Sequence, residues 1–591
     1  MALKLNLPRN AGTLILLLGL LPLIAAHSGG HDDGQMNGHE TEHHGLDKPD
    51  DDSQYPSTYF AHTEHVGMIY AHIALMTLAW AFVLPVAVMI SLAKSRYTFV
   101  LQFIFLATNA LGHLLGTLYN AQTPDLYPGN AHHKLGWVIT WVVTAQLVIS
   151  AVGWFSRTVT HAAGNPSRDS QAFLPVPSDT QHGGRYRMGH DHLSSNPYRL
   201  SDDSGQGTDP NTESLRSNSI SSIDGVDEVP LESPQKEYED EDDDLEAMSL
   251  FRSSRMNAFG RYTTKVVTSR IWKYMELGNR AIDRIILPLG SVVFASGIVT
   301  FGRFFEGFGI YSGLAHWVKG GVFFWLGLFT LGRWSGSFAE VGWAWNARPK
   351  RAEQKWRPSA EFVESALIFF YGSTNIFLEH LSGWGGKWTS RDMEHISITV
   401  LFIGGGLCGM LIESTRVRDL LNTTVDNLET KHPYSDEEDE QCDPPDTYEF
   451  SLNPFPALVI LLLGIMMSSH TQSTMISSMV HRQWGNLLLG ASFARGFTYV
   501  LMFLKPPKSI LPSRPPTELL VSLGLISGGI IFMASAEDTV QGMIHYDLDA
   551  IFMYTVTMGL VGLLMAWEVI VIAIKGWAVR CERRRASHRA A

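Results

Sequence analysis

Apolar positions along this chain gather in blocks of about twenty, separated by polar stretches, rather than in the short amphipathic runs of a water-soluble core. The blocks fall near residues 67–91, 97–119, 135–155, 284–302, 314–332, 360–379, 396–414, 455–468, 485–504, 516–535 and 550–574, the eighth needing extension at one end. A helix of about twenty apolar residues crosses a hydrocarbon layer roughly 30 Å thick. The pattern therefore predicts an all-α fold, a polytopic membrane helix bundle of about eleven transmembrane helices in two modules, 67–155 and 284–574, with the lipid bilayer as its first partner.

Polar stretches set the remaining boundaries. Residues 1–26 carry Lys4 and Arg9 ahead of LILLLGLLPLIAA and read as a signal peptide cut after Ala26, with an uncleaved anchor helix as the alternative. Residues 27–66 hold His27, His31, His39, His43 and His44 among Asp, Glu and Gly, too polar to bury a core. They read as a disordered outer tail, either a spacer or a loose collector of copper or zinc. The insertion at 156–283 ends its acidic run in KEYEDEDDDLE, eight acids in eleven residues, a block that repels itself and stays extended on the cytoplasmic side. It reads as a linker, or as a regulatory segment if Ser217, Ser219 and Ser222 accept phosphate beside Arg216. The stretch from Arg416 to Tyr448 reads as a disordered acidic loop, and 575–591 as a basic cytoplasmic tail.

Charge supplies an orientation. The net −13 resides in the hydrophilic stretches and says little about the membrane part. Short loops on one side carry Lys94, Arg96, Arg333, Arg348, Lys350, Arg351, Lys505, Lys508 and Arg580, whereas the other side offers Lys134, Arg303, Lys387, Arg391 and Arg482. The positive-inside rule then places the N-terminus outside, or lumenal in a secretory-pathway membrane, and the C-terminus in the cytoplasm. The basic residues follow the inner leaflet and form no aromatic-interleaved patch, so no nucleic acid is expected. Cys408, Cys442 and Cys581 are far apart and give neither a disulfide framework nor a zinc motif.

On that topology the 23 histidines separate. Seventeen fall in the outer tail, the outer loops or the outer half of a helix, and none in the inner half of any span. Imidazole within lipid needs a partner and marks a functional hypothesis by default. His72, His113 and the pair His132 and His133 lie in the first module. His132, His316 and His481 each precede a glycine by four residues (Gly136, Gly320, Gly485), a spacing that puts both on one helix face and leaves room for a flat ligand or another helix.

The segments HIALMTLAWAFVLPVAV, LGHLLGT and HHKLGWVITWVVTAQ resemble the core of the cytochrome b-561 and ferric-reductase transmembrane family. That resemblance implies a bundle that binds b-type haem through paired histidines and passes electrons, with His72, His113 and His132 or His133 as ligands. Gln146 and Gly136 also match. The next helix, ILPLGSVVFASGIVTFG, lacks the family's fourth histidine, so either His316 on the helix after serves or that ligand is absent. Over most of its membrane region the chain resembles a fungal family of yeast transmembrane proteins, which join such an N-terminal domain to a characteristic C-terminal one. AHWVKGGVFFWLGLFTLGRW, EVGWAWN, ESALIFFYGSTNIFLEHLSGWGGKW and DMEHISITVLFIGGGLCGMLIES carry that likeness, which implies kinship without naming a chemistry.

The second module adds candidate metal ligands. Glu379 with His380, Glu394 with His395, and then His470 and His481 among Met466, Met467, Met475 and Met479 place carboxylate, imidazole and thioether at one depth. Glu568 is expected to be the one carboxylate well inside a span. Three functions fit these residues: a b-type haem protein working with an unidentified electron donor and acceptor, a transition-metal transporter or receptor, and a membrane scaffold. A homo-oligomer is left open.

Overall fold

The computed structural model describes residues 55–162, 270–307, 309–346, 358–379, 388, 390–429, 446–470 and 472–590. The expected signal peptide, most of the His-rich tail, residues 163–269, His380 and the acidic run after Glu429 lie outside them. Residues 1–154 and 270–591 belong to one compact unit and 155–269 to a second, of which the described part is the helical stretch to Ala162.

Every apolar block falls on a helix. In chain order these are α1 (Val66–Leu92), α2 (Thr98–Gln122), α3 (His132–Ala162), α4 (Arg270–Gly302), α5 (Gly309–Ser335), α6 (Ala360–Glu379) and α7 (Ser390–Glu413). They continue with α8 (Thr415–Glu429), α9 (Phe455–Ser469), α10 (Met475–Leu504), α11 (Thr517–Ala534), α12 (Glu537–His545) and α13 (Ala550–Ala590). Among the described residues there is no strand, and nine helices are long and apolar enough to cross a membrane. The other two expected blocks lie on α6, which carries Glu361 and Glu364 in its first two turns, and on α9, a helix of 15 residues.

Three boundaries differ from the hydropathy reading. Helix α4 begins at Arg270 rather than near 284, which brings Asp283 inside the helix. There Ser91 Oγ donates to Oδ2 at 2.7 Å and Gln146 Nε2 to Oδ1 at 2.6 Å, so paired donors make the buried carboxylate tolerable. Glu568 is thus not the one acid within the helices. The stretch after Arg416 starts as helix α8, and the basic tail continues α13 without a break, with Glu582 accepting from Ser95 Oγ at 3.0 Å in the α1–α2 turn.

Between apolar helices in lipid, close backbone packing replaces the hydrophobic drive, so small residues mark the crossings. A Cβ on Gly320 would lie 2.5 Å from the carbonyl oxygen of Gly529, and one on Gly529 2.5 Å from that of Gly320. Gly464 and Gly485 meet in the same reciprocal way where α9 crosses α10. The sequence GLISGGIIF lets α5 approach α11 over Gly529 and α10 approach it over Gly524 and Gly528. Helix α13 packs on α1, α5 and α11 and joins the two modules.

Helix α1 contains a π-helical turn, Leu78–Val83, just before Pro85. Pro85 has no N–H to give the carbonyl of Ala81, one turn back, and the indole Nε1 of Trp567 on α13 donates to that oxygen at 2.9 Å.

Candidate functional site: paired histidines at one end of the bundle

The four histidines of the first module have distinct environments. His72 Nδ1 lies 2.7 Å from the carbonyl oxygen of Gly112, which can only accept, so Nδ1 carries the proton and the Nε2 lone pair remains. His132 Nδ1 lies 3.0 Å from Ser296 Oγ, whose own hydrogen goes to the Val293 carbonyl at 2.7 Å. His132 is therefore also protonated on Nδ1. Their ring centroids are 6.4 Å apart with an 80° interplanar angle.

His113 has the opposite tautomer. Thr140 Oγ1 spends its single hydrogen on the Gly136 carbonyl at 2.8 Å, so at 2.9 Å it accepts from Nε2–H of His113. The chain continues through Asn109 Nδ2 to Thr140 at 3.1 Å and Trp80 Nε1 to Asn109 Oδ1 at 2.9 Å. His133, exposed beside Trp137, turns away from the bundle; one residue along a helix is a 100° rotation, and His132 takes the inward position.

Each inward ring rests on a glycine of the next helix. A Cβ on Gly116 would lie 2.7 Å from His72 Nδ1, one on Gly136 2.9 Å from His113 Cε1, and one on Gly297 3.0 Å from His132 Cε1. The glycine after His132 thus seats His113 from the neighbouring helix, and Gly320 and Gly485 serve helix crossings. The His-x-x-x-Gly spacing marks places of close approach without pairing the two residues that form it.

The loops at this end of the bundle tie down over this region. Tyr127 OH donates to the Phe304 carbonyl at 2.6 Å, Arg303 Nη1 to Ser57 O at 3.0 Å, and Asp538 accepts from the Phe305 amide at 2.5 Å. Tyr55 stacks on His545 at 4.2 Å. Burial pushes the Tyr55 phenol up to about 12 and raises those of Tyr59 and Tyr127, so all three are neutral near pH 7. A crevice of about 1900 Å³ is lined by His132, Leu135, Val292, Ser296, Trp317 and Trp484 among others.

In the second module, His316 and His481 stand with ring centroids 6.2 Å apart at 84°, although one is a candidate from the haem resemblance and the other from the metal cluster. His470 Nδ1 lies 3.2 Å from Glu394 Oε2. His395 is half-buried on α7, Glu379 ends α6, and His380 is outside the described residues. Among the described residues no group of three or more His, Cys, Asp or Glu side chains is placed to hold a metal ion.

Sequence reasoning missed a buried charge network at the other end of the second module. Arg333 Nη2 contacts Glu361 at 2.8 Å, Arg495 Nε contacts Glu518 at 2.9 Å, and Glu364 lies 3.5–3.6 Å from both arginines. All five are under 9 % exposed, and Trp345 covers both guanidinium groups, at 4.4 Å and 5.7 Å. The signal was in the sequence: Arg495 stands in the middle of the apolar block GASFARGFTYV, an expensive position without a partner.

Residues 289–576 match the family described as "Protein YTP1-like, C-terminal", and residues 53–154 match a domain of unknown function, DUF2427. A Schizosaccharomyces pombe protein named as an uncharacterized membrane protein is 30 % identical over 524 residues, covering 86 % of this chain and 94 % of that protein. A Saccharomyces cerevisiae protein with the same style of name is 40 % identical over 324 residues, 52 % of this chain and 50 % of its own. Protein YTP1 of Saccharomyces cerevisiae is 23 % identical over 180 residues, 30 % of this chain and 31 % of its own. No solved structure matches.

Proposed function

This chain belongs to the family of fungal multi-pass membrane proteins with a YTP1-like C-terminal domain, and from that premise we propose that it holds b-type haem near the outer membrane face and takes part in electron transfer. The observation that carries the reading is the His72–His132 pair, each ring anchored through Nδ1 so that its Nε2 lone pair is available. A metal that accepts one imidazole nitrogen from each side at about 2 Å keeps the two ring centres roughly 6 Å apart, which is the spacing of this pair.

The donor set favours haem over a bare ion. Among the described residues no third protein ligand joins the two imidazoles, which leaves most of a metal's coordination open, and a tetrapyrrole supplies four nitrogens itself. When bound, haem iron supplies a one-electron couple. The chain's own part is to fix both tautomers through the Gly112 carbonyl and Ser296 hydroxyl, to seat the rings on Gly116 and Gly297, and to present an apolar crevice beside His132. His113, with its proton on Nε2 and committed to Thr140, is a positioning residue between α2 and α3 rather than an axial ligand. The distribution of Lys and Arg supports an outside position for this end of the bundle.

The test is a reduced-minus-oxidised absorption spectrum of detergent-purified protein expressed with ample haem. A b-type band whose intensity falls in His72→Ala and in His132→Ala, and persists in His113→Ala, is the expected result. A featureless spectrum from folded protein overturns the reading.

A further inference from the structure

Helix α8, TRVRDLLNTTVDNLE, sorts its residues by helical position. At about 100° per residue, Val417, Leu420 and Leu421 fall within one arc of roughly 100°. By sequence, Val425 and Leu428 continue the same register. Arg416 and Arg418 stand at the two margins of this stripe, and Asp419 lies across the helix from it, a position that Asp426 repeats two turns on. The stripe is apolar, its margins are basic and the far side is acidic.

The fold fixes where this helix begins. Only Ser414 separates it from Glu413, the last residue of the membrane-crossing helix α7. Ser414 O accepts from the Arg418 amide at 3.0 Å, and Glu413 accepts from Ser359 Oγ at 2.5 Å and Ser451 Oγ at 2.7 Å, so the junction is tied to the bundle. The Arg418 guanidinium lies over the Tyr448 ring at 5.3 Å, which gives that margin of the helix a partner. The stripe is another matter: Leu420 is 74 % exposed and Leu421 72 %. A 15-residue helix, about 22 Å long, that starts at the edge of a bilayer runs either along its surface or out into water. Adjacent exposed leucines within an ordered stripe have no use in water.

We propose that α8 is an interfacial helix that lies along the phospholipid surface at the membrane face where α7 ends, with Val417, Leu420 and Leu421 at the boundary of headgroups and acyl chains. The order of charges selects lipid over a protein groove. An arginine at the margin of the stripe lays its methylenes on the apolar surface and reaches a phosphate, while the acids opposite stay in water. Two basic residues stand against Asp419, Asp426 and Glu429, so apolar burial rather than attraction to anionic lipid holds the helix down. Nothing in this contact depends on haem.

Spin labels on the full chain test this, in phosphatidylcholine nanodiscs and after Cys408→Ala, Cys442→Ser and Cys581→Ser have removed the native thiols. Single labels enter through Asp419→Cys, Leu420→Cys and Leu421→Cys, all at exposed positions where substitution leaves the fold intact. Labels at 420 and 421 should collide more often with oxygen, which partitions into acyl chains, than with a water-soluble nickel chelate, and the label at 419 should show the reverse. Adding Leu421→Asp to Leu420→Cys should lift the helix, and the oxygen preference at 420 is then lost. Chelate access at 420 and 421 equal to that at 419 would place the stripe in water and overturn the proposal. Protection of 420 and 421 from both reagents overturns it as well, because a protein surface, such as a second copy of this chain, then covers the stripe.

Discussion

The imidazole of His72 packs against Gly116 so closely that a single methyl group on that glycine would lie 2.7 Å from Nδ1. The same nitrogen donates to Gly112 O, so ring position and tautomer are set by one stretch of α2. Gly116→Ala is expected to displace the ring and break that bond. The measurement is haem content and thermal unfolding in detergent: the haem of the first pair is lost, and stability falls by about 1–3 kcal/mol, the usual range for overpacking. Gly404→Ala, on α7 with open space around its Cα, should change neither.

Trp567 completes a backbone that Pro85 leaves open. Trp567→Phe keeps the aromatic surface and removes the donor to Ala81 O, with an expected cost of about 1 kcal/mol. In a Pro85→Ala background, where residue 85 regains its N–H, the cost of Trp567→Phe should shrink. Equal costs in the two backgrounds would show that the indole is held by packing alone.

Arg495 and Glu518 form a pair with almost no access to solvent, Glu518 being 0 % exposed. Arg495→Met leaves Glu518, Glu364 and Glu361 with Arg333 as the one remaining guanidinium of the network, and a loss of about 3–5 kcal/mol is expected from an uncompensated buried charge. Adding Glu518→Leu to Arg495→Met should recover much of that loss, because both charges then leave together. Unfolding midpoints of the single and double variants decide it; a double variant worse than the single one would place the network's value outside pairwise charge balance.

Asn422 begins an Asn-Thr-Thr sequon on α8, between α7 and α9. In the proposed orientation it faces the cytoplasm and carries no glycan, so endoglycosidase treatment leaves the protein's electrophoretic mobility unchanged. A sequon introduced into the α2–α3 loop, on the opposite side, should be modified. Glycosylation at Asn422 itself would reverse the topology and place the histidine pairs on the inner side.

The linear sequence determined the helices. Apolar blocks of bilayer length are a local property of composition, because every backbone group in lipid must be satisfied within its own helix, and all eleven blocks fall on one. Clustering of histidines toward one face was legible for the same reason: depth follows from position along a helix whose direction alternates. The sequence also set the tautomers of His316 and His481, through carbonyls one turn away.

Only the tertiary structure decided partnership. Nothing local distinguishes His132 from His133, or assigns His72 to His132 rather than to His113; those choices depend on how α1, α3 and α4 rotate about their axes when Ser296 and Gly297 come into contact. Likewise His316 meets His481 because α11 is narrow at Gly524, Gly528 and Gly529, and Arg495 finds Glu518 on the next helix, α11, and Glu364 on the distant α6. Helix formation in a membrane is governed by hydrogen bonds within each segment, whereas the pairing of side chains between segments is governed by close packing of small residues. That packing has no signature in hydropathy.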